Sequence, residues 1–123
     1  MITALVVDDN RQFADSLCQL LRYLDVKAEA VYGALTALQR VKVMVPSAVF
    51  LDINMPGLNG LEVFSYFKRE PYLANTAVFI VSSEAEREVI ETALKLGARA
   101  YLMKPVSLDD LEQALRDAGL YYA

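Results

Sequence analysis

Strand-like and helix-like stretches alternate along the whole chain, and this alternation limits its possible folds more than any other feature. Residues 2–7 form a short apolar run, and the apolar residues Phe13, Leu17 and Leu21 that follow recur at helical spacing. Predicted strands cover residues 2–7, 26–31, 48–51, 77–81 and 99–103. Predicted helices cover residues 13–24, 33–43, 61–69 and 84–96, and a last one opens at residue 107. This pattern of βα units indicates an α/β fold.

The expected architecture is a doubly wound, five-stranded parallel sheet with strand order 2-1-3-4-5, the flavodoxin-like (βα)5 arrangement. Right-handed β-α-β connections and fully buried parallel strands favour it. A chain of 123 residues without an internal repeat or linker is expected to form one domain, residues 1–123. In such a sheet, ligands bind beyond the carboxyl ends of the strands, at the switch point between strands one and three.

Several local signals place the helix faces and ends. In the second helix, Leu35, Leu38 and Val41 are expected to point inward. Gly97 is expected to cap the fourth helix, and Ser107 with Asp110 has the spacing of a capping box at the start of the last one.

Composition excludes several classes of function. A net charge of −4 argues against nucleic acid as a partner. The absence of histidine excludes histidine metal ligands and histidine general bases within this chain. No signal peptide and no apolar run of about 20 residues is found, so we expect a soluble protein that is not bound to a membrane. The single Cys18, on an apolar helical stripe, suggests a buried thiol in the cytoplasm.

Reactive polar residues follow four of the apolar runs. Val7 precedes Asp8 and Asp9, Leu51 precedes Asp52, Val81 precedes Ser82, and Met103 precedes Lys104. Because the ends of parallel strands share one edge, these carboxylates, the hydroxyl and the ammonium are expected to converge. Such a cluster suits a divalent cation and a phosphoryl group.

Each of these residues also has a simpler interpretation. Asp9 has the spacing of a helix cap with Gln12, and Ser83 has the same spacing with Glu86. Lys104 alone would be an ordinary solvated lysine. Asp52 is harder to explain as a cap, because the next predicted helix begins several residues later, beyond a turn at Pro56.

Electrostatics favours a bound cation at this edge. Two carboxylates about 4 Å apart repel each other by roughly 4 kcal/mol at an effective dielectric constant of 20. Lys104 offsets part of this repulsion. A bound Mg²⁺ offsets more, because carboxylates, a carbonyl and waters can complete its octahedral oxygen site.

These residues resemble the receiver domains of bacterial two-component response regulators, and in particular single-domain receivers of the chemotaxis-regulator type. The resemblance rests on residues 6–9, 51–60, 81–83 and 103–105, which occur in the order and at the separations of that family. It covers essentially the whole chain.

The resemblance implies a signalling switch rather than a multiple-turnover enzyme. Asp52 would be the nucleophile that accepts a phosphoryl group, with Lys104 and Ser82 binding its oxygens. Metal ligands would be the side chains of Asp8, Asp9 and Asp52 together with the Asn54 carbonyl. The donor would be a histidine kinase or a histidine phosphotransfer protein.

The resemblance also implies how the signal is read. Ser82 and Tyr101 would switch together and remodel the surface of helix four, strand five and helix five. Asn54 and Glu84 would tune the lifetime of the phosphoryl group, although Glu84 is equally explained as a first-turn acid of its helix. The bond between Lys104 and Pro105 would be cis. A downstream protein or an output domain would receive the signal, and a phosphorylation-dependent dimer is a further expectation.

Two other interpretations remain open at the level of sequence. An aspartyl-phosphate phosphatase of the haloacid-dehalogenase type also uses a strand-end aspartate in a doubly wound fold. Its second aspartate, two residues after the nucleophile, is replaced here by Asn54. The other alternative is a pseudo-receiver, a binding module that is never phosphorylated, and the intact acidic residues argue against it.

Overall fold

In the computed structural model, the chain forms a parallel sheet with helices on both faces. The structure describes residues 2–55, 60–83 and 86–121. The strands are β1 (Thr3–Val7), β2 (Lys27–Val31), β3 (Ala48–Leu51), β4 (Ala77–Ser82) and β5 (Ala100–Met103). The helices are α1 (Arg11–Tyr23), α2 (Ala34–Val43), α3 (Gly60–Arg69), α4 (Arg87–Lys95) and α5 (Leu108–Asp117), with a 3₁₀ turn at Pro71–Leu73. The strand order is β2-β1-β3-β4-β5, so the predicted α/β class and topology are confirmed.

Apolar residues fill both sides of this sheet. Leu5 and Val7 of β1 join the core on the side of α2, α3 and α4, whereas Ala4 and Val6 join the core under α1 and α5. This alternation follows from the two-residue period of a strand. On the second side, Phe50 of β3 and Phe79 of β4 stack with their ring centroids 4.8 Å apart. The strands are therefore buried on both faces, as parallel strands usually are.

Two predictions about helix ends are confirmed. The Ser107 side chain accepts a hydrogen bond from the Asp110 N–H at the start of α5. Gly97 has a φ of +106° just after α4, a conformation that glycine adopts without steric cost.

The simpler interpretations of Asp9 and Ser83 as helix caps do not hold. Asn10, rather than Asp9, caps α1, because its side-chain oxygen accepts a hydrogen bond from the Phe13 N–H. The cap residue of α4 is Glu86, so Ser83 lies outside that helix. In both places the helix begins later than the polar residue that first fits the capping pattern.

The predicted inward face of α2 is also partly wrong. Leu35 is 67% exposed, and Ala34, Ala37 and Val41 are the buried residues of this helix. Small side chains at the first two of these positions let the helix lie close to the sheet, which turns the adjacent leucine toward solvent.

The start of α3 is fixed by a close approach between two backbone segments. A Cβ atom on Gly60 would lie 2.2 Å from the Cα of Ile53 and 2.6 Å from its carbonyl oxygen. Ile53 follows Asp52 directly, so only a glycine at position 60 lets the helix pack against the loop that leaves β3.

One edge of the sheet is formed by β2, which pairs with β1 alone. The Arg22 guanidinium of α1 donates a hydrogen bond to the Ala28 carbonyl of this strand at 2.9 Å. Beside it, the Arg40 Nη2 atom donates to the Glu29 carboxylate, also at 2.9 Å. These contacts place charged side chains over the outer edge of β2.

Cys18 is a buried free thiol on α1, as expected from the sequence. Burial raises the pKa of this thiol to about 11.

Candidate functional site

Three carboxylates meet where β1 and β3 end. Asp8 and Asp9 follow β1, Asp52 follows β3, and one oxygen of each lies within 4.8 Å of the others. Asp8 and Asp52 are only 1% and 4% exposed, whereas Asp9 is exposed. Because β1 and β3 are hydrogen-bonded neighbours, the structure brings these residues together as the sequence predicts.

Lys104, at the end of β5, supplies the positive charge of the cluster. Its Nζ atom lies 2.8 Å from Asp8 Oδ2 and 3.5 Å from Asp52 Oδ2. The Lys104 N–H donates to the Ser82 carbonyl at 3.0 Å, which continues the pairing of β4 and β5 beyond the strands. The Lys104–Pro105 bond is cis, as the resemblance implies.

Backbone hydrogen bonds hold both buried carboxylates in place. The Asn10 N–H donates to Asp8 Oδ1, and the Asn54 N–H donates to Asp52 Oδ1, each at 2.9 Å. In both cases a strand-end aspartate accepts from the N–H two residues later. This local turn leaves the second oxygen of each carboxylate turned toward Lys104.

The protonation of Asp52 reflects competing influences. Burial raises the pKa of this carboxyl above its ordinary value, and the nearby Asp8 carboxylate raises it further. The hydrogen bond from Asn54 and the charge of Lys104 act in the opposite direction. The net effect is upward, so the ionised form of Asp52 is stabilised by the protein less well than by water.

Ser82 and Asn54 are joined by a hydrogen bond. The Asn54 Nδ2 atom donates to Ser82 Oγ at 2.9 Å. Ser82 is fully buried at the end of β4, whereas Asn54 is exposed. The two residues to which the resemblance assigns switching and lifetime roles are therefore in direct contact.

Tyr101 and Glu84 are the two remaining residues that the sequence predicts for the site. Tyr101 of β5 is half-buried and packs against the core on the side of α2, α3 and α4. Glu84 lies outside the described residues.

Phe13 also lies at the site, but the sequence pattern does not identify it as a site residue. Its ring centroid lies 4.4 Å from Lys104 Nζ. Its helical spacing predicts only that it packs under α1, which it does. The pattern carries no signal for the second contact, since Phe13 and Lys104 lie near opposite ends of the chain.

The donor set fits a hard divalent cation. Carboxylate oxygens are the ligands that Mg²⁺ and Ca²⁺ prefer. Asp8 Oδ2 is buried and has the Lys104 ammonium as its ion-pair partner, but within the described residues it accepts no well-directed hydrogen bond. A buried oxygen with this unused capacity is suited to coordinating a metal ion.

The family model of the response regulator receiver domain matches residues 4–116. The chain belongs to this family. A receiver domain is a signalling domain of two-component systems, in which phosphorylation and Mg²⁺ are typical. The match therefore bears out the resemblance and favours neither the phosphatase nor the pseudo-receiver interpretation.

Individual relatives agree with the family. The receiver domain is 34% identical over 120 residues to the nitrate/nitrite response regulator protein NarL of Escherichia coli, covering 95% of this chain and 54% of NarL. The receiver domain thus spans about half the length of that relative.

Solved structures give the same fold. A response regulator receiver protein from Burkholderia phymatum has a TM-score of 0.83 and 28% identity, with 100% of this chain and 98% of that chain covered. The chemotaxis protein CheY4 of Vibrio cholerae has a TM-score of 0.88 at 21% identity, covering 96% and 98%. The second likeness concerns the fold alone.

Among the described residues, none of the helices combines the length and apolar content that crossing a bilayer requires.

Proposed function

We propose that this receiver domain, taken as residues 1–123, is a phosphorylation-activated switch in which Asp52 accepts the phosphoryl group. The observation that carries the proposal is the position of Asp52. Its carboxylate is buried beside two further carboxylates and 3.5 Å from a lysine ammonium. In a family of signalling domains, this is the geometry expected of a phosphoacceptor rather than of a structural aspartate.

The proposed reaction is phosphoryl transfer from a phosphohistidine of a histidine kinase or phosphotransfer protein. An Asp52 oxygen forms the new O–P bond as the N–P bond of the donor breaks, and the released imidazole carries away its electron pair and takes up a proton. The Asn54 N–H holds Oδ1, which fixes the orientation of the carboxylate. Positioning and electrostatic stabilisation supply most of what phosphoryl transfer needs.

Two side chains would bind the arriving phosphoryl group. The Lys104 ammonium lies close enough to Oδ2 of Asp52 to pair with a phosphoryl oxygen attached there. The Ser82 hydroxyl, at the end of the neighbouring strand β4, would donate to another oxygen. Ser82 ends β4 and Lys104 follows β5, so the sheet brings the backbone of both residues to the same edge as Asp52.

We propose Mg²⁺ as the metal, held by the carboxylates of Asp8, Asp9 and Asp52 and by the Asn54 carbonyl. The bound ion would neutralise negative charge on the phosphoryl oxygens. The buried and incompletely satisfied Asp8 Oδ2 supports this assignment.

The proposed output surface comprises α4, β5 and α5. Leu94, Leu96 and Met103 on or beside α4 and β5 are 45%, 42% and 40% exposed, an apolar surface that suits a protein partner. Tyr101 lies on the same strand as Met103 and packs inward, so it can connect the site to this surface. A downstream protein or an output domain would bind there. We also propose that the domain dimerises when it is phosphorylated.

The remaining proposals concern the class of protein and its location. The domain would catalyse its own phosphorylation and dephosphorylation without turning over an external substrate. The buried free thiol of Cys18 favours a reducing compartment, and we propose the cytoplasm.

Intact-mass measurement with a small acyl phosphate and Mg²⁺ tests the proposal. The wild-type chain is expected to gain about 80 Da, which is one phosphoryl group. Asp52→Asn is expected to gain nothing, whereas Asp25→Asn, which alters an exposed aspartate after α1, is expected to behave as wild type. Phosphorylation of the Asp52→Asn variant at the wild-type level would show that another residue is the acceptor.

A further inference from the structure

An aromatic ring lies next to the ammonium of the site lysine. Phe13 lies in the first turn of α1, and its ring centroid is 4.4 Å from Lys104 Nζ. The same nitrogen is 2.8 Å from Asp8 Oδ2 and 3.5 Å from Asp52 Oδ2. The ammonium therefore lies among two anionic groups and the electron-rich face of a ring, all of which attract a cation.

Phe13 is itself firmly held. Its N–H donates to the Asn10 side chain at 3.1 Å, which fixes the first turn of α1. Its half-buried ring packs against the core under α1 and α5. The ring thus has contacts of its own in the core. A lysine side chain, by contrast, has four rotatable bonds and would otherwise sample many positions.

The Lys104 ammonium is also partly shielded from water, since the side chain is only 20% exposed. A cation–π contact is worth more when the cation is desolvated. An ammonium has three N–H donors, so contact with the ring leaves donors for the neighbouring oxygen atoms.

We propose that Phe13 is a positioning residue that holds the Lys104 ammonium against Asp8 and Asp52 through the face of its ring. This inference rests on the proposed function in one respect: the benefit of a fixed lysine is faster phosphorylation of Asp52. The contact itself does not depend on that function.

The test compares Phe13→Leu with Phe13→Tyr. Leucine keeps an apolar side chain in the core but has no ring face, whereas tyrosine keeps the ring. Tyr121→Leu is a matched control, because Tyr121 also packs on this core and lies 5.1 Å from a cation, but that cation is Arg116 of α5.

The first measurement is the NMR shift of the Lys104 ε-methylene protons, which a ring face displaces upfield. The upfield displacement is expected in the wild type, in Phe13→Tyr and in Tyr121→Leu, and is expected to disappear in Phe13→Leu. An unchanged Lys104 shift in Phe13→Leu would overturn the proposal whether or not the protein is phosphorylated.

The second measurement is the rate of Asp52 phosphorylation at a saturating concentration of a small acyl phosphate. Phe13→Leu is expected to slow this rate about 3- to 30-fold, and Phe13→Tyr is expected to restore it. Equal slowing by both Phe13 variants would assign the residue to packing alone and overturn the proposal. A wild-type chain that gains no phosphoryl group would instead refute the proposed function, and the NMR shift would still decide whether Phe13 holds the lysine.

Discussion

At the residue scale, one hydrogen bond links the loop that leaves β3 to strand β4. Asn54 lies two residues after Asp52, and its amide donates to the buried hydroxyl of Ser82. Because a hydroxyl can accept one hydrogen bond while it donates another, Ser82 can keep this contact when its O–H binds a phosphoryl group.

We predict that Asn54→Ala lowers the free energy of unfolding by about 0.5–1.5 kcal/mol, because a buried hydroxyl loses a hydrogen-bond donor. The backbone N–H that holds Asp52 is retained in this variant. Urea unfolding of the wild type, Asn54→Ala, Ser82→Ala and the double variant gives the coupling energy, which we expect to exceed about 0.5 kcal/mol. Strictly additive effects would show that the hydrogen bond contributes nothing to stability.

Most residues of the site can be predicted from the sequence, and there is a physical reason why some of their contacts cannot. Asp8, Asp52 and Lys104 follow apolar strands directly, and parallel strands bring their carboxyl ends together. The contact between Phe13 and Lys104 depends on how α1 docks on the sheet and on side-chain rotamers, neither of which a linear pattern encodes.

At the element scale, the packing of α3 against the loop after β3 depends on one missing side chain. A Cβ on Gly60 would overlap the backbone of Ile53, which adjoins Asp52. Backbone atoms cannot turn away as a flexible side chain can, so either the helix or the loop must move.

We therefore predict that Gly60→Ala lowers the free energy of unfolding by about 1–3 kcal/mol and slows phosphorylation of Asp52. Gly33→Ser is the matched control, since nothing lies within 4 Å of a Cβ there and the residue caps α2 in an extended conformation. Serine is a favourable cap, so this variant should be as stable as the wild type or slightly more stable. Chemical denaturation and intact mass measure the two effects, and a fully stable Gly60→Ala would contradict the packing argument.

Sequence predicts the elements themselves better than their ends and faces. β3 has the predicted bounds, Ala48–Leu51, because its short apolar run is followed at once by Asp52. In α2, by contrast, helical spacing places both Leu35 and Val41 inward, but the helix buries Ala34 and Ala37 and exposes Leu35. Close approach to the sheet selects small side chains, and that distance is a tertiary property.

At the scale of the whole molecule, the acidic cluster creates a link between metal binding and folding. Asp8 and Asp52 are buried close together, and Lys104 is the cation that the described residues place between them. Their assembly exists only in the folded chain, so a cation that binds there stabilises the native state selectively.

We predict that Mg²⁺ at ten times its dissociation constant raises the free energy of unfolding by about 1.4 kcal/mol and Tm by roughly 4–8 °C. Asp9→Asn should abolish most of this increase without harming the fold, since Asp9 is exposed. Asp25→Asn should retain the increase. Thermal unfolding at constant ionic strength measures the Mg²⁺ effect in the wild type and in both variants. An increase in Asp9→Asn equal to that in the wild type would rule out the proposed ligand set.

The edge strand β2 has a consequence for the behaviour of many copies in solution. An uncovered edge is a template on which the strands of other molecules can add, the first step toward swapped oligomers and fibrils. Here the Arg22 guanidinium occupies the Ala28 carbonyl, and the Glu29–Arg40 pair adds charge beside it. These contacts therefore disfavour intermolecular strand addition at β2, which helps a switch protein remain monodisperse at high concentration.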